Sequence, residues 1–356
     1  MALYHLELSG TPAEMGRQHG EALREQVRAM CHTRLALAAR AAEKLSPPRD
    51  LAWCLELAGQ CVQPVADYSP DVFAEWSGIA EAAGLTLPEM VIGNGWTDFA
   101  DLLHRAGGAE VHGCTFVAFT GERTVDGHTY AAQTWDMSPS AGPYLVLMRR
   151  RPANGPATIG MTTAGCLSLI GLNEAGIAIG NTNLVPNDAR PGVHYLALIH
   201  QALAETTPEA ALAAITRAQR LSGHFYYLAG PDGRVQSIET TAERHQCLSP
   251  ENGVLVHTNH YLAPAFAQEA FPPPSASSAA RQARMSALVA ETRSPVGPPD
   301  IQRLLSDHTG DWPICRHCAD PASWATLAAV VICPEAGRLW VTAGNPCDNQ
   351  AKEYTI

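Results

Sequence analysis

The chain has no basic run longer than Arg149-Arg150-Arg151, and its Asp and Glu outnumber Lys and Arg by 35 to 24. A polyanionic partner needs a cationic footprint, so the net charge of −11 weighs against nucleic acid and anionic membrane as partners. No window holds 18 uninterrupted apolar residues, and no transmembrane helix is expected. The opening Met1-Ala2-Leu3-Tyr4-His5-Leu6-Glu7 lacks a basic stretch followed by an apolar one, so no signal peptide is expected and the cytoplasm is the expected compartment. There is no Gly-x-Ser-x-Gly elbow and no Gly-rich phosphate loop with its Lys, which removes the serine α/β-hydrolase and P-loop classes.

A second Cys-x2-Cys pair is also missing. Cys315 and Cys318 form the single one, and His257 and His260 lie far upstream as candidates to complete a zinc site. A structural site wants four closely organised ligands, so zinc is disfavoured. A zinc deaminase is excluded because Ile314 separates Pro313 from Cys315 and the His-x-Glu sits at His5-Leu6-Glu7. The pair does not open a helix in a βαβ unit, against a thioredoxin-like role. No metal and no bound cofactor are therefore expected.

What is present reads as an ordinary globular protein. The 356 residues are 46% apolar and 17% charged, enough for one large domain or two medium ones. The ten cysteines are scattered and read as reduced, mostly buried thiols. Residues 1–113 read as mainly helical. Thr11-Pro12-Ala13-Glu14 is a capping box, and its helix is expected to run to about residue 44, before Pro47-Pro48. Ser69-Pro70 and Thr86-Leu87-Pro88-Glu89 are further helix starts.

From Cys114 onward the pattern turns to strands. Runs at 114–120 and 128–135 flank Asp126-Gly127, a hairpin signal, and others follow at 143–150, 157–163, 167–172 and 176–182. Helices are expected at 193–205 and 208–219, strands at 224–230, 234–239 and 253–257, and a loop at 271–278. Two helices, 279–292 and 299–307, and a hairpin of 325–334 with 338–343 complete the chain. Sheets covered by helices make an α+β sandwich.

The junction between the two halves is Gly113-Cys114. A Gly-Cys opening a strand whose hairpin returns to Trp135-Asp136 is the layout of an N-terminal-nucleophile hydrolase still carrying its leader. Cutting after Gly113 would give Cys114 a free α-amine beside its thiol, so nucleophile and general base need only one residue. The competing reading is a buried strand cysteine.

Several segments in order resemble the peptidase C45 family, that of acyl-coenzyme A:6-aminopenicillanic acid acyltransferase. They are Gly16-Arg17-Gln18-His19-Gly20, Gly113-Cys114-Thr115, Gln133-Thr134-Trp135-Asp136, and Gly171-Leu172-Asn173-Glu174-Ala175-Gly176 leading to Asn181-Thr182-Asn183. His257-Thr258-Asn259-His260, Asp307-His308 with Ile314-Cys315-Arg316, and Gly344-Asn345-Pro346-Cys347 complete the set.

The resemblance implies a four-layer αββα N-terminal-nucleophile fold, cut into an α chain, 1–113, and a β chain, 114–356. It implies Cys114 as nucleophile, Asp136 as the acceptor that orients its amine or thiol, and Asn259 and Asn183 near the oxyanion. It also implies Arg316 as the cation that favours the thiolate. Each has a plainer reading: a hairpin-end Asp, turn Asn residues, a surface Arg. Thr134 departs from the Asn that relatives carry before Trp-Asp, and His112 has no assigned role.

The implied activity is hydrolysis of a small-molecule N-acyl or aminoacyl amide through a thioester. The alternative is acyl transfer with coenzyme A as co-substrate, and a homo-oligomer is left open. From another class, a catalytically silent binding protein on the same scaffold remains, against which the retained residue types weigh.

Overall fold

The computed structural model describes residues 1–104, 113–267, 275–318 and 324–356. His112, which has no assigned role, lies outside them.

The helical first half begins, against expectation, with a strand. β1 (Tyr4–Gly10) alternates so that Leu6 and Leu8 are buried. The capping box then opens the helix Pro12–Ala22, with Glu14 N–H on Thr11 Oγ1 and Thr11 N–H returning to Glu14 Oε2 at 2.8 Å. The expected long helix is two, interrupted at Leu23 and resumed as Arg24–Ala42. Gly16 and Gly20 lie against the helix Pro70–Ala83, where a Cβ on Gly16 would stand 2.0 Å from Glu75 O. These glycines let two helix backbones touch, and the second helix meets Pro70–Ala83 far less closely.

The remaining strands are β2 (Phe116–Phe119), β3 (Tyr130–Met137), β4 (Leu145–Pro152), β5 (Thr158–Thr163), β6 (Ile170–Asn173) and β7 (Ala178–Leu184). β8 (Gly223–Ala229), β9 (Val235–Thr240), β10 (His245–Leu248), β11 (Val254–His257), β12 (Ala325–Cys333), β13 (Arg338–Ala343) and β14 (Lys352–Thr355) follow. They form two sheets, ordered β1-β4-β5-β6-β7-β8-β9-β10 and β11-β2-β3-β12-β13-β14. β1, β10 and β14 were not expected from sequence, and all three are edge strands. The loop expected to reach 278 ends sooner, since Ser275 caps a helix beginning at Ala276.

The two sheets pack face to face. Phe116 of β2 stacks on Tyr227 of β8 with centroids 4.4 Å apart, and Phe225 lies 5.3 Å away. β12 is apolar on both faces because both are covered. Ala328, Val330 and Ile332 join the core between the sheets, while Ala329 and Val331 meet Met285, Ile301 and Leu305 from the helices Ala276–Glu291 and Pro298–Leu305. The helices of the first half, with Tyr195–Ala202 and Pro208–Thr216, cover the larger sheet. The order is helix, sheet, sheet, helix: the αββα architecture.

Candidate active site

Cys114 sits at the entrance to β2, 7% exposed. β2 and β3 pair antiparallel, and just beyond the ladder Thr134 N–H donates to Thr115 O at 2.9 Å while Thr115 N–H donates to Thr134 Oγ1 at 3.0 Å. That pairing brings Asp136 beside Cys114. Thr134, the departure from the family pattern, thus ties the Cys114 strand to the Asp136 strand, and its hydroxyl opposes the rise that burial gives the Asp136 pKa.

A β-bulge completes the acid's surroundings. The β3–β12 register runs Thr326↔Asp136 and then Ala328↔Trp135, so Leu327 is the extra residue. In a regular strand Thr326 would share the face of Ala328, inside the sheet–sheet core. The bulge turns it to the Asp136 face, where its Oγ1 donates to Asp136 Oδ1 at 2.8 Å. Asp136 Oδ2 is buried with no hydrogen-bond partner among the described residues. Burial raises the Asp136 pKa; Arg281, Thr326, Arg316 and Thr134 oppose that rise.

The residue that organises this site is one the sequence reading passed over. Arg281 is fully buried and donates to four acceptors: Cys114 O at 2.7 Å, Thr115 Oγ1 at 3.0 Å, Asn259 Oδ1 at 2.8 Å and Ser277 Oγ at 3.2 Å. A planar guanidinium suits such a divergent set, and a lysine does not. Burial brings its pKa down to about 10, against the pull of Asp136 and Cys114. The signal was available. Ser277, Ser278, Arg281, Met285 and Val289 are the buried stripe of one helix, so Arg281 lies in phase with core positions.

Asn259 takes its orientation from Arg281. Its Oδ1 accepts from the guanidinium, which fixes Nδ2 as the donor end. Nδ2 donates to Asn183 O at 3.0 Å and lies directly against Gly113, where a Cβ would stand 2.7 Å from it. Only glycine fits beneath that amide. Asn183 keeps a buried Oδ1 with no partner among the described residues. Gly113, Cys114, Asp136 and Asn183 together line a cavity of about 20 Å³, room for a single water.

Four of the expected residues therefore converge with Gly113: Cys114, Asp136, Asn259 and Asn183. Arg316 approaches from the far side of Asp136. Its N–H donates to Thr326 Oγ1 at 2.9 Å, its guanidinium lies 5.7 Å from the Trp312 ring, and its Nη1 is buried without a partner among the described residues. Its charge bears on Asp136 and Arg281, and the cation that bears on the Cys114 thiol is Arg281. In the continuous chain burial, then Asp136, pushes that thiol up to about 12.

His257 and His260 are not placed as metal ligands with Cys315 and Cys318. His257 Nε2 meets Glu239 Oε1 at 2.9 Å, with its ring stacked 3.8 Å from that of Phe225, and His260 Nδ1 meets Ser278 Oγ at 2.8 Å. These contacts anchor the turn that presents Asn259.

A family model for acyl-coenzyme A:6-aminopenicillanic acid acyl-transferase matches residues 123–348, well over half of the chain. The chain belongs to this family. The match takes in Asp136, Asn183, Asn259 and Arg316 and begins after Cys114. An acyltransferase-family relative is the 40 kDa form of acyl-coenzyme A:6-aminopenicillanic-acid-acyltransferase of Emericella nidulans. It is 26% identical over 262 residues, 73% of this chain and 70% of the relative.

Two solved structures also overlap this acyltransferase-family chain. One is a conjugated bile acid hydrolase mutant from Clostridium perfringens, at TM-score 0.46 and 14% identity over 68% of this chain and 97% of the other. The other is penicillin V acylase from Agrobacterium tumefaciens, at TM-score 0.44 and 14% identity over 65% and 82%. The αββα assignment rests on the packing described above. Membership of this family makes the chain an enzyme of the acyltransferase class.

Proposed function

We propose that the chain is a self-processing cysteine amidohydrolase acting on a small N-acyl or aminoacyl amide. In the precursor the Cys114 thiol attacks the Gly113 carbonyl carbon, the Gly113–Cys114 C–N bond breaks, and a Gly113 thioester forms on the sulfur. Water hydrolyses that thioester and leaves Cys114 with a free α-amine. In turnover the thiol gives its proton to this amine and attacks the substrate amide. Asn259 Nδ2, with backbone N–H groups, holds the oxyanion; the ammonium, oriented by Asp136, protonates the leaving amine. Water then releases the acid.

The observation that carries this reading is Asn259 Nδ2 resting on Gly113, its sense fixed by Arg281. A donor so placed serves the self-cleavage oxyanion first and the substrate oxyanion afterwards. The family's named activity favours a second outcome, in which an acyl-coenzyme A acylates the thiol, coenzyme A leaves, and an amine instead of water takes the acyl group. No helix among the described residues is long and apolar enough to cross a membrane, and the cysteines are free thiols. On the latter we place the chain in a reducing compartment, the cytoplasm.

Intact-mass measurement tests the maturation. Purified protein is expected to resolve into fragments 1–113 and 114–356, and Cys114→Ala is expected to remain whole. An uncut wild-type chain that releases amine from N-acyl and aminoacyl amines sinks the mechanism.

A further inference from the structure

Three loops converge at the Arg316 segment. His308 follows the helix Pro298–Leu305, His317 follows Arg316, and Cys347 lies after β13. One ligand atom from each lies within 4.8 Å of the other two. We propose that His308, His317 and Cys347 form a binding site for a Zn²⁺-class ion, separate from the nucleophile and independent of the function proposed above.

The loops are held together by bonds that need no ion. Cys315 N–H donates to Asp307 O at 2.8 Å, tying the first loop to the second. Asn345 Nδ2 donates to Arg316 O at 2.7 Å, tying the second to the third. Both imidazoles turn Nδ1 to an oxygen, His308 to Ser306 O at 3.2 Å and His317 to Asp348 Oδ2 at 3.8 Å. Each is left with Nε2 to bind, which is how second-shell oxygens prepare histidine ligands.

Metal distances of about 2.0–2.1 Å to N and 2.3 Å to S put tetrahedral ligand edges at roughly 3.3–3.6 Å. His317 Nε2 already lies 3.1 Å from Cys347 Sγ, and the His308 and His317 rings stand at 84° to one another. Both rings are exposed and have room to close the remaining gap. Two imidazoles and a thiolate select a borderline-soft ion over Mg²⁺ or Ca²⁺. His308 and Cys347 also line a cleft of about 600 Å³, and the Cys315 Sγ lies 3.5 Å from the Cys347 Sγ on the buried side. Because His317 adjoins Arg316, an ion here fixes the backbone that carries Arg316.

Titration of the untagged, reduced protein with Co²⁺ tests the site. A single equivalent should give a near-ultraviolet thiolate-to-cobalt charge-transfer band, displaced by Zn²⁺. The band should persist in Cys114→Ala, disappear in Cys347→Ser, and need a higher Co²⁺ concentration in His308→Ala. No band in wild type, or a band kept in Cys347→Ser, overturns the proposal. If Cys347→Ser does not fold, the surface variant His308→Ala decides, and unchanged cobalt affinity there overturns it.

Discussion

An asparagine amide has a donor end and an acceptor end, and at position 259 the choice between them is made by a buried arginine. Removing the donor is expected to cost about 10²–10³ in kcat, so Asn259→Ala should lose that much on the matured fraction with KM little changed. Turnover by that fraction at the wild-type rate would return Asn259 to a turn role and leave Asn183 as the donor. Arg281→Lys keeps the charge and cannot serve the same divergent acceptors. Its self-cleavage, followed by the appearance of the 114–356 fragment over time, should be slower than wild type; an unchanged time course would mean that charge alone suffices. Cys114, Asp136, Asn183 and Asn259 were legible because their residue types and order form a recognisable set. Arg281 belongs to an amphipathic helix with a second arginine three residues on, and only helical phase separates the buried one from Arg284.

At the scale of the element, the bulge in β12 decides which face Thr326 occupies. Its hydroxyl is among the groups that draw the Asp136 pKa down against burial. Thr326→Val, close in shape, removes that bond and should raise the Asp136 pKa further. If ionised Asp136 is required, the acid limb of kcat/KM moves to higher pH while the alkaline limb stays. A pH profile checks this, and an unmoved acid limb would mean that Asp136 does not titrate in the cycle. Sequence reading placed the strands on either side of the site but not this irregularity, since Ala325-Thr326-Leu327-Ala328 shows no glycine or proline to mark it. β10 and β14 escaped for a related reason: these edge strands face solvent along much of their length and carry few of the apolar alternations that reveal a strand, whereas β1 alternates but stands directly before a helix start in a half that reads as helical.

Across the whole molecule, burial has made several histidines neutral members of the fold. His19 Nε2 accepts Gly165 N–H at 2.9 Å, and His194 Nδ1 accepts Ala197 N–H at the start of its helix. Burial lowers both pKa values to about 4 from the ordinary 6.5. Folded values below the unfolded ones mean that the unfolded chain binds more protons between these limits. Stability is therefore full above pH 6.5 and lost as pH falls toward 4, by roughly 1 kcal/mol per pH unit for each histidine. Denaturant midpoints at pH 7.5, 6 and 5 should fall in that order, and a flat series would show that these rings are not held neutral.

β1 belongs to the segment before the proposed cut, yet it pairs in parallel with β4 from Tyr4↔Val146 to Gly10↔Pro152. Buried Glu75 likewise pairs with Arg150, and Asp98 with His224 at 2.6 Å, each across the same boundary. Breaking the Gly113–Cys114 bond would then turn one chain into two paired chains with these contacts kept. The nicked protein should elute from a sizing column as the intact chain does, and part into two bands only when denatured. Having been joined while they folded, the halves should also be hard to reunite: the shorter piece alone would leave a sheet edge and buried charges unmatched. Proteolysis here would work as a one-way assembly step, in which a chain folds as one molecule so that it can function as two.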